Sequence, residues 1–222
     1  MNKINIGLEE YSIRAAADRI SALLAKGCIG ILPTATIYGL SCIYDDEAAV
    51  NRIYGIKKRK TGTPFIILIS SMSQIESVSR IGSLAPDLRK PALKLMDKYW
   101  NIKDSSPLTL ILPKSEAVGE FITGGRPTIA VRLAGLKIIR DVIDNSGPIV
   151  STSATLSGTV SQPRTIREVP PEIREGADFI VDYGSILGGS ESTIVDLTGE
   201  YPELLRQGAV DYDEILKDLK DY

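Results

Sequence analysis

Two short segments far apart in the chain carry hydroxyl and cationic side chains suited to binding an anion. Residues 33–40 (PTATIYGL) are followed by the cationic run 57–60 (KKRK), and residues 151–158 (STSATLSG) form the second segment. Apolar stretches that predict strands, 28–32 and 148–150, come directly before them. Because ligands of open α/β sheets bind in the crevice outside the carboxyl ends of strands, we expect these hydroxyls to lie at a cleft.

Further candidates lie nearer the carboxyl end. Residues 191–197 (ESTIVDL) repeat the hydroxyl theme, and Arg206 follows another short apolar run. Gly124-Gly125-Arg126 is either a nest for an anion or a simple turn. The other segments also have structural interpretations, since Thr, Pro and Gly are common in turns and cations are common at helix carboxyl ends.

The absence of histidine excludes several kinds of chemistry. The 222 residues contain no His and two Cys, so Ser-His-Asp hydrolysis, Cys-His chemistry and His-ligated zinc are closed. Cys28 and Cys42 lack Cys-x-x-Cys spacing and are expected to be small buried side chains. Neither a P-loop nor a Rossmann glycine motif is present. What remains is chemistry that positions and neutralises charge, as in phosphoryl and adenylyl transfer.

Composition predicts an ordinary globular protein. The 43% hydrophobic and 24% charged residues are typical of a globular protein, and we expect a single domain over 1–222. The sequence shows no stretch that predicts a membrane span or a signal peptide, so we expect the protein to be cytoplasmic. The net charge of −2 disfavours nucleic-acid binding as the main function.

Periodicity predicts alternating helices and strands. Ser12 is expected to cap a helix that Gly27 ends, and Asp45 or Asp46 to cap the next helix. Further helices are predicted at 73–78, 87–100, 136–144 and from 213, and strands at 28–32, 38–44, 65–69, 108–112, 128–133, 148–150, 179–182, 193–197 and 204–206.

In this order, the motifs P-T-x-T-x-Y-G-L, K-x-R, S-x-S-A-x-x-S-G, E-S-T-I-V-D-L and L-L-R-x-G resemble the YrdC-like family, the threonylcarbamoyl-AMP synthases. The resemblance runs from about Ile13 to Val210. It implies an α/β fold with a twisted mixed sheet, flanked by helices, and one large open cleft. The extra carboxyl-terminal domain of some members is not expected.

The resemblance also implies roles for individual residues. Lys57 and Arg59 would form a catalytic phosphate clamp, Arg59 as a planar fork and Lys57 as a mobile point charge. The residues implied to bind threonine are Thr36, Leu68, Arg132, Ser151 and Ser192. Those implied to bind ATP are Arg59, Thr63, Thr128, Ser153, Ser161 and Arg206. No metal site of the protein itself is implied, and Mg²⁺ would accompany ATP.

The chain departs from the family pattern at several positions. Leu68 stands where the family's threonine-contacting histidine sits, and Thr63 and Thr155 replace asparagines. Ala35, Lys60 and Ser106 also differ from the usual residues. A hydrogen bond to a charged group contributes about 1.5–3 kcal/mol, so Leu68 and Thr155 together would weaken the site by about two to four powers of ten unless other groups compensate.

The implied activity is the formation of threonylcarbamoyl-AMP and pyrophosphate from L-threonine, bicarbonate and ATP. Its product would serve threonylcarbamoyladenosine modification of tRNA through a downstream partner that the sequence does not identify. Two alternatives remain: a divergent paralogue that uses another amino acid or carbamoyl adenylate, and an RNA-binding module. A weak contact with tRNA or double-stranded RNA is compatible with threonylcarbamoyl-AMP synthesis as the main activity.

Overall fold

A computed structural model describes residues 2–5, 10–100, 107–187 and 190–220. Ser106 lies outside the described residues. Within them the chain folds around one ten-stranded sheet with helices on its faces. None of the described helices has the length and apolar character needed to cross a membrane.

The described helices alternate with strands for most of the chain. They are α1 (Glu10–Leu24), α2 (Glu47–Ile56), α3 (Ile75–Val78), α4 (Pro86–Trp100), α5 (Glu120–Thr123), α6 (Lys137–Ser146), α7 (Pro171–Gly176) and α8 (Tyr212–Lys220), with 3-10 turns at Met72–Gln74, Ile81–Ser83 and Ile166–Glu168.

The sheet mixes parallel and antiparallel neighbours, which confirms the predicted fold class. Its strands are β1 (Asn2–Asn5), β2 (Gly30–Pro33), β3 (Tyr38–Ile43), β4 (Ile66–Ile69), β5 (Leu108–Pro113), β6 (Thr128–Leu133), β7 (Ile149–Ser153), β8 (Phe179–Asp182), β9 (Thr193–Asp196) and β10 (Glu203–Arg206). Their order is β1-β8-β2-β3-β7-β4-β6-β5-β9-β10. The pairs β1/β8, β2/β8, β4/β6 and β5/β9 are parallel, and the others are antiparallel.

Local signals account for several helix ends. Asp46 caps α2, accepting a hydrogen bond of 2.9 Å from the Ala49 N–H, as predicted. Gly27 follows α1 with φ of 76°, a conformation that favours glycine at a helix end. The prediction that Ser12 caps α1 is wrong, because the helix already begins at Glu10.

The two faces of the sheet are covered differently. One face carries the larger apolar core, which includes Leu40, Ile67, Val131 and Val150. On the other face, α1 and α6 pack together over a second core that includes Leu68 and Ile149. These helices cover only part of that face, and a cleft occupies the part near β4, β6, β5 and β9.

The strand register places side chains in rows across the cleft. Ser151, Ile66, Ala130, Ile111 and Asp196 are successive cross-strand neighbours on β7, β4, β6, β5 and β9. Because residues two apart on a strand share a face, Thr128, Ala130 and Arg132 of β6 all face the cleft. The small Ala130 between two isoleucines leaves the middle of this floor open.

Candidate active site

The cleft is a cavity of about 550 Å³ whose lining is rich in arginine and hydroxyl groups. Four arginines reach it from separate segments: Arg59, Arg126, Arg132 and Arg206. Its hydroxyl groups come from Thr34, Thr36, Thr128, Ser151, Thr152, Ser153 and Ser192. Many of the predicted site residues are thus brought to one place, and the predicted large cleft is present.

The position of this cleft differs from the one expected. We predicted hydroxyls at a crevice just beyond the strand ends, but β7 continues to Ser153 and therefore includes Ser151. The cleft lies over a face of the sheet, since α1 and α6 leave part of that face uncovered. The strand extends because β7 pairs with β3 through Ser153, opposite Gly39.

The β2–β3 turn supplies Thr36 and is held by Thr34. The Thr34 hydroxyl donates to the Ile37 carbonyl at 2.5 Å, so Thr34 serves the turn itself. Thr36 Oγ1 accepts a hydrogen bond of 3.1 Å from Nη1 of Arg132. Both threonines are buried. Thr36 is therefore hydrogen-bonded to Arg132, the arginine that the family resemblance also assigns to threonine binding.

Arg132 is a buried cation with an unused donor. Its side chain is on an apolar strand, and the residue is 7% exposed. Its Nε has no hydrogen-bond partner among the described residues. Burial lowers the pKa of Arg132 to about 10, and the nearby charge of Arg206 acts in the same direction. The group stays cationic at neutral pH, and an anion in the cleft would satisfy it.

Ser192 and Arg206 form a second polar cluster on β9 and β10. The Ser192 hydroxyl lies 2.7 Å from Thr109 Oγ1 and accepts from Nη2 of Arg206 at 3.1 Å. Arg206 also donates from Nε to the Ser192 carbonyl at 3.0 Å and pairs with Glu191 at 2.9 Å. Burial lowers the pKa of Arg206, and Glu191 opposes that shift. The network fixes both predicted residues at the same end of the cleft as Arg132.

Arg59 lies at the other end of the cleft, stacked on Phe65. Its guanidinium carbon is 5.0 Å from the centre of the Phe65 ring, and Nη2 donates to the Pro64 carbonyl at 2.8 Å. Nη1 reaches Thr152 Oγ1 at 3.4 Å, while the buried Nε has no partner among the described residues. Burial lowers its pKa. A flat guanidinium held this way presents donors to an anion.

Lys57 occupies a smaller adjoining cavity of about 330 Å³, which it shares with Arg59 and Ser153. Lys57 is 1% exposed, and its ammonium donates to the carbonyl oxygens of Ser153 and Thr155, the latter at 2.6 Å. The predicted mobile point charge is therefore wrong, because the side chain is committed to the 153–155 segment. Burial lowers the pKa of Lys57 to about 7, and the charge of Arg59 adds to the effect.

The remaining hydroxyls predicted for the site also lie on its walls. Thr128 and Ser151 line the large cleft, Ser153 lines both cavities, and Thr63 lines the smaller one. Ser151 accepts a hydrogen bond of 3.0 Å from the Ser41 hydroxyl. Their contacts with threonine or ATP stay predictions.

Two predicted site residues lie elsewhere. Leu68 is 1% exposed and packs in the core beneath α1 and α6, so it does not line the cleft. Its neighbours are apolar, and Ile66, two residues earlier on the same face, takes the position in the cleft. Ser161 is exposed in an irregular segment and lines neither cavity. For both residues, the predicted contact with ligand is corrected.

Sequence reasoning missed several lining residues. Arg126, in the segment interpreted as an anion nest or a simple turn, lines the cleft through its side chain, and Thr152 contacts Arg59. Ala130 and Asp196 were not singled out. The alternation of Thr128, Ala130 and Arg132 along β6 is a signal that identifies Ala130, since a strand turns every second residue to one face.

Known proteins match this chain over most of its length. Residues 22–208 match the Sua5/YciO/YrdC family model, described as "Telomere recombination". A threonylcarbamoyl-AMP synthase of Pyrococcus abyssi is 38% identical over 95% of this chain and 58% of its own length. The Bacillus subtilis protein of that name is 34% identical over 88% of this chain and 54% of its own length.

Solved structures agree with this relationship. The crystal structure of P. abyssi Sua5 complexed with L-threonine superposes with a TM-score of 0.84 at 36% identity, covering 99% of this chain and 60% of that one. The chain thus spans a little over half the length of these relatives. With a family model matched over 22–208 and a shared fold, this chain belongs to the Sua5/YciO/YrdC family.

Proposed function

We propose that the chain forms L-threonylcarbamoyl-AMP and pyrophosphate from L-threonine, bicarbonate and ATP. The observation that carries this proposal is the convergence of separate family motifs on one cationic cleft. Thr36, Arg59, Arg132, Ser151 and Ser192 come from five segments of the chain and share that lining. The relatives named threonylcarbamoyl-AMP synthase, and the Sua5 complex with L-threonine, support the same assignment.

The proposed reaction requires positioning rather than a covalent intermediate. The amine of threonine reacts with bicarbonate to give a carbamate and water. A carbamate oxygen then attacks the α-phosphorus of ATP, and the bond to the β-phosphate oxygen breaks to release pyrophosphate. Charge accumulates on the phosphates, so fixed cations and close alignment of the reactants supply the acceleration.

In this proposal the two ends of the cleft bind different parts of the substrates. Arg132, whose side chain lines the cleft, binds the threonine carboxylate, and Thr36, Ser151 and Ser192 orient the amino acid. The proposed nucleotide contacts are Arg59, Thr63, Thr128 and Ser153 at the other end. Arg206, which lies near Arg132, would contact the nucleotide phosphates where they meet the amino acid. Lys57 acts indirectly, by holding the segment that carries Ser153.

Magnesium would arrive with ATP. Among the described residues, no three His, Cys, Asp or Glu side chains cluster as a metal site. The two carboxylates of the cleft already have partners, since Glu191 pairs with Arg206 and Asp196 accepts from Thr198. We therefore propose Mg²⁺ as part of the substrate, bound by phosphate oxygens. The product would serve tRNA modification in the cytoplasm, with at most a weak tRNA contact by this chain.

Mass spectrometry tests the proposal directly. Incubation with threonine, bicarbonate, ATP and Mg²⁺ is expected to give threonylcarbamoyl-AMP and pyrophosphate, and omission of bicarbonate to abolish the adduct. Absence of the adduct at high enzyme concentration would contradict the proposed activity. A panel of amino acids, each added with MgATP in thermal-shift assays, tests the amino-acid preference, because a ligand that binds only the folded state raises the melting temperature.

A further inference from the structure

The turn Gly124-Gly125-Arg126 brings to the cleft an arginine that the proposed function does not use. Gly124 ends α5 with φ of 64°, and Gly125 follows with φ of 78°. Both angles lie in the left-handed region that glycine adopts without a Cβ penalty. The chain then enters β6 at Thr128, so Arg126 stands at the rim of the cleft floor.

The turn is fixed against the segment that follows Arg59. A Cβ on Gly124 would lie 1.9 Å from the carbonyl oxygen of Gly62, so the two backbones meet where only glycine fits. The Phe65 N–H donates to the Ile122 carbonyl at 3.0 Å, which joins the same two segments again. Arg59 and Arg126 are therefore carried by segments whose relative position is set by backbone contact.

Arg126 has little else to bind. It is exposed, and its hydrogen bond to the Thr123 carbonyl is 3.5 Å long, at the limit of a hydrogen bond. Among the described residues, no ion pair is found for it, whereas Arg206 is paired with Glu191 at 2.9 Å. Its guanidinium is thus available to a ligand.

The position of Arg126 selects one part of the ligand. Arg132 lies four residues beyond Thr128 on β6, a distance of about 13 Å at ~3.3 Å per residue. The amino-acid end at Arg132 and the end at Arg59 and Arg126 are therefore well separated. The smaller cavity adjoins the Arg59 end, and Lys60 on its wall adds positive charge there.

We propose that Arg126 binds the β- and γ-phosphates of ATP together with Arg59, and retains contact with pyrophosphate as it leaves. The assignment rests on the proposed function in taking ATP as the nucleotide. A guanidinium matches two phosphate oxygens at once, and the terminal phosphates carry most of the charge of ATP. Stabilising the leaving group at this end would lower the barrier to adenylyl transfer.

Calorimetric titration of four proteins with three ligands tests the assignment. Wild type, Arg126→Ala, Arg126→Lys and Arg89→Ala are titrated in Mg²⁺ with ATP, AMP and inorganic tripolyphosphate. Arg89 is a matched control, since it is exposed, has one 3.5 Å bond to the Gly82 carbonyl and lines neither cavity. Melting temperatures, expected to be unchanged for an exposed side chain, establish that the variants fold.

Arg126→Ala is expected to weaken the binding of ATP and tripolyphosphate at least tenfold and the binding of AMP less than threefold. Arg126→Lys should give intermediate affinities, and Arg89→Ala should bind all three ligands like the wild type. Equal weakening of AMP and ATP would overturn the proposal, because the contact would then be to the nucleoside or the α-phosphate. Unchanged ATP affinity would also overturn it.

Product formation by the wild type separates this inference from the proposed function. Selective loss of tripolyphosphate binding in Arg126→Ala without any threonylcarbamoyl-AMP from the wild type would leave the phosphate contact standing and refute the activity. Formation of threonylcarbamoyl-AMP by the wild type, together with unchanged ATP and tripolyphosphate binding by Arg126→Ala, would support the activity and refute the phosphate contact of Arg126. A wild type that binds neither ATP nor tripolyphosphate would refute both.

Discussion

The ammonium of Lys57 lies 2.6 Å from the carbonyl oxygen of Thr155 and also donates to the carbonyl of Ser153. The backbone N–H of Ser157 in turn donates to the carbonyl of Lys57 at 3.0 Å. One residue at the end of α2 thereby ties down the segment after β7. Lys57, the lysine of the K-x-R motif, is thus buried and bound to the backbone of the protein itself.

This clamp predicts an unusual pH dependence of stability. Burial depresses the pKa of Lys57 to about 7 in the folded state, against an ordinary value of 10.5. Between these values the unfolded chain holds a proton that the folded chain has released. The free energy of unfolding contributed by Lys57 therefore rises with pH across this window, by at most about 1.4 kcal/mol per pH unit.

Lys57→Met isolates that contribution, because other titrating groups are common to both proteins. We expect the variant to be less stable, since two carbonyls lose a donor at about 1–3 kcal/mol each. The deficit should grow as the pH is raised from 7 to 9 in paired denaturation experiments. A deficit that stays constant with pH would show that Lys57 does not titrate there.

Much of the fold was predictable because each element carries a local signal. The β6 strand was predicted at its observed bounds, and Asp46 capped its helix as expected. The end of β7 was missed because Ser151, Thr152 and Ser153 look like a loop by composition. Their strand conformation depends on pairing with β3, a contact between residues distant in sequence.

The site was predictable mainly where a residue matched one of the family motifs. The family resemblance assigned Arg132 to the site, and this arginine is buried beside Thr36. Leu68 was misplaced because one face of β4 passes from the cleft at Ile66 to the core at Leu68. That boundary is set by where α6 ends its cover of the sheet, which no local pattern encodes.

Arg59 is expected to dominate nucleotide binding. Arg59→Ala should weaken ATP at least tenfold, since a charge-assisted contact contributes about 1.5–3 kcal/mol. Lys58→Ala is the matched control, because Lys58 is the neighbouring exposed cation and lines neither cavity. Calorimetry that found ATP affinity unchanged, together with a flatter salt dependence of tRNA binding, would assign Arg59 to nucleic acid instead.

Gly39 is expected to leave the room that the Ser151 hydroxyl needs at the amino-acid end of the cleft. A Cβ at this position would lie 2.6 Å from Ser151 Oγ, so Gly39→Ala must displace the hydroxyl that Ser41 contacts at 3.0 Å. We expect threonine affinity to fall several-fold while AMP affinity is largely retained. Gly55→Ala, in α2 with open space around its Cβ, should leave both affinities unchanged and raise the melting temperature slightly. Retained threonine affinity in Gly39→Ala would argue against a role for Ser151 in binding it.

Leu68→His tests whether the core assignment holds at the position where the family has a threonine-contacting histidine. Leu68 is 1% exposed beneath α1 and α6, so an imidazole there is buried without a partner, at a cost of about 1–3 kcal/mol from comparable substitutions in proteins. We expect a lower melting temperature and no gain in threonine affinity, alone or combined with Thr155→Asn.

Ile66→Val is the matched comparison on the same strand, since Ile66 lines the cleft and loses only one methylene. It should change ligand affinity more than Leu68→His does, at a smaller cost in stability. Threonine titrations and thermal melts of the wild type and these variants distinguish the two positions. Tighter threonine binding by Leu68→His with an unchanged melting temperature would contradict the core assignment and show that residue 68 lines the amino-acid site.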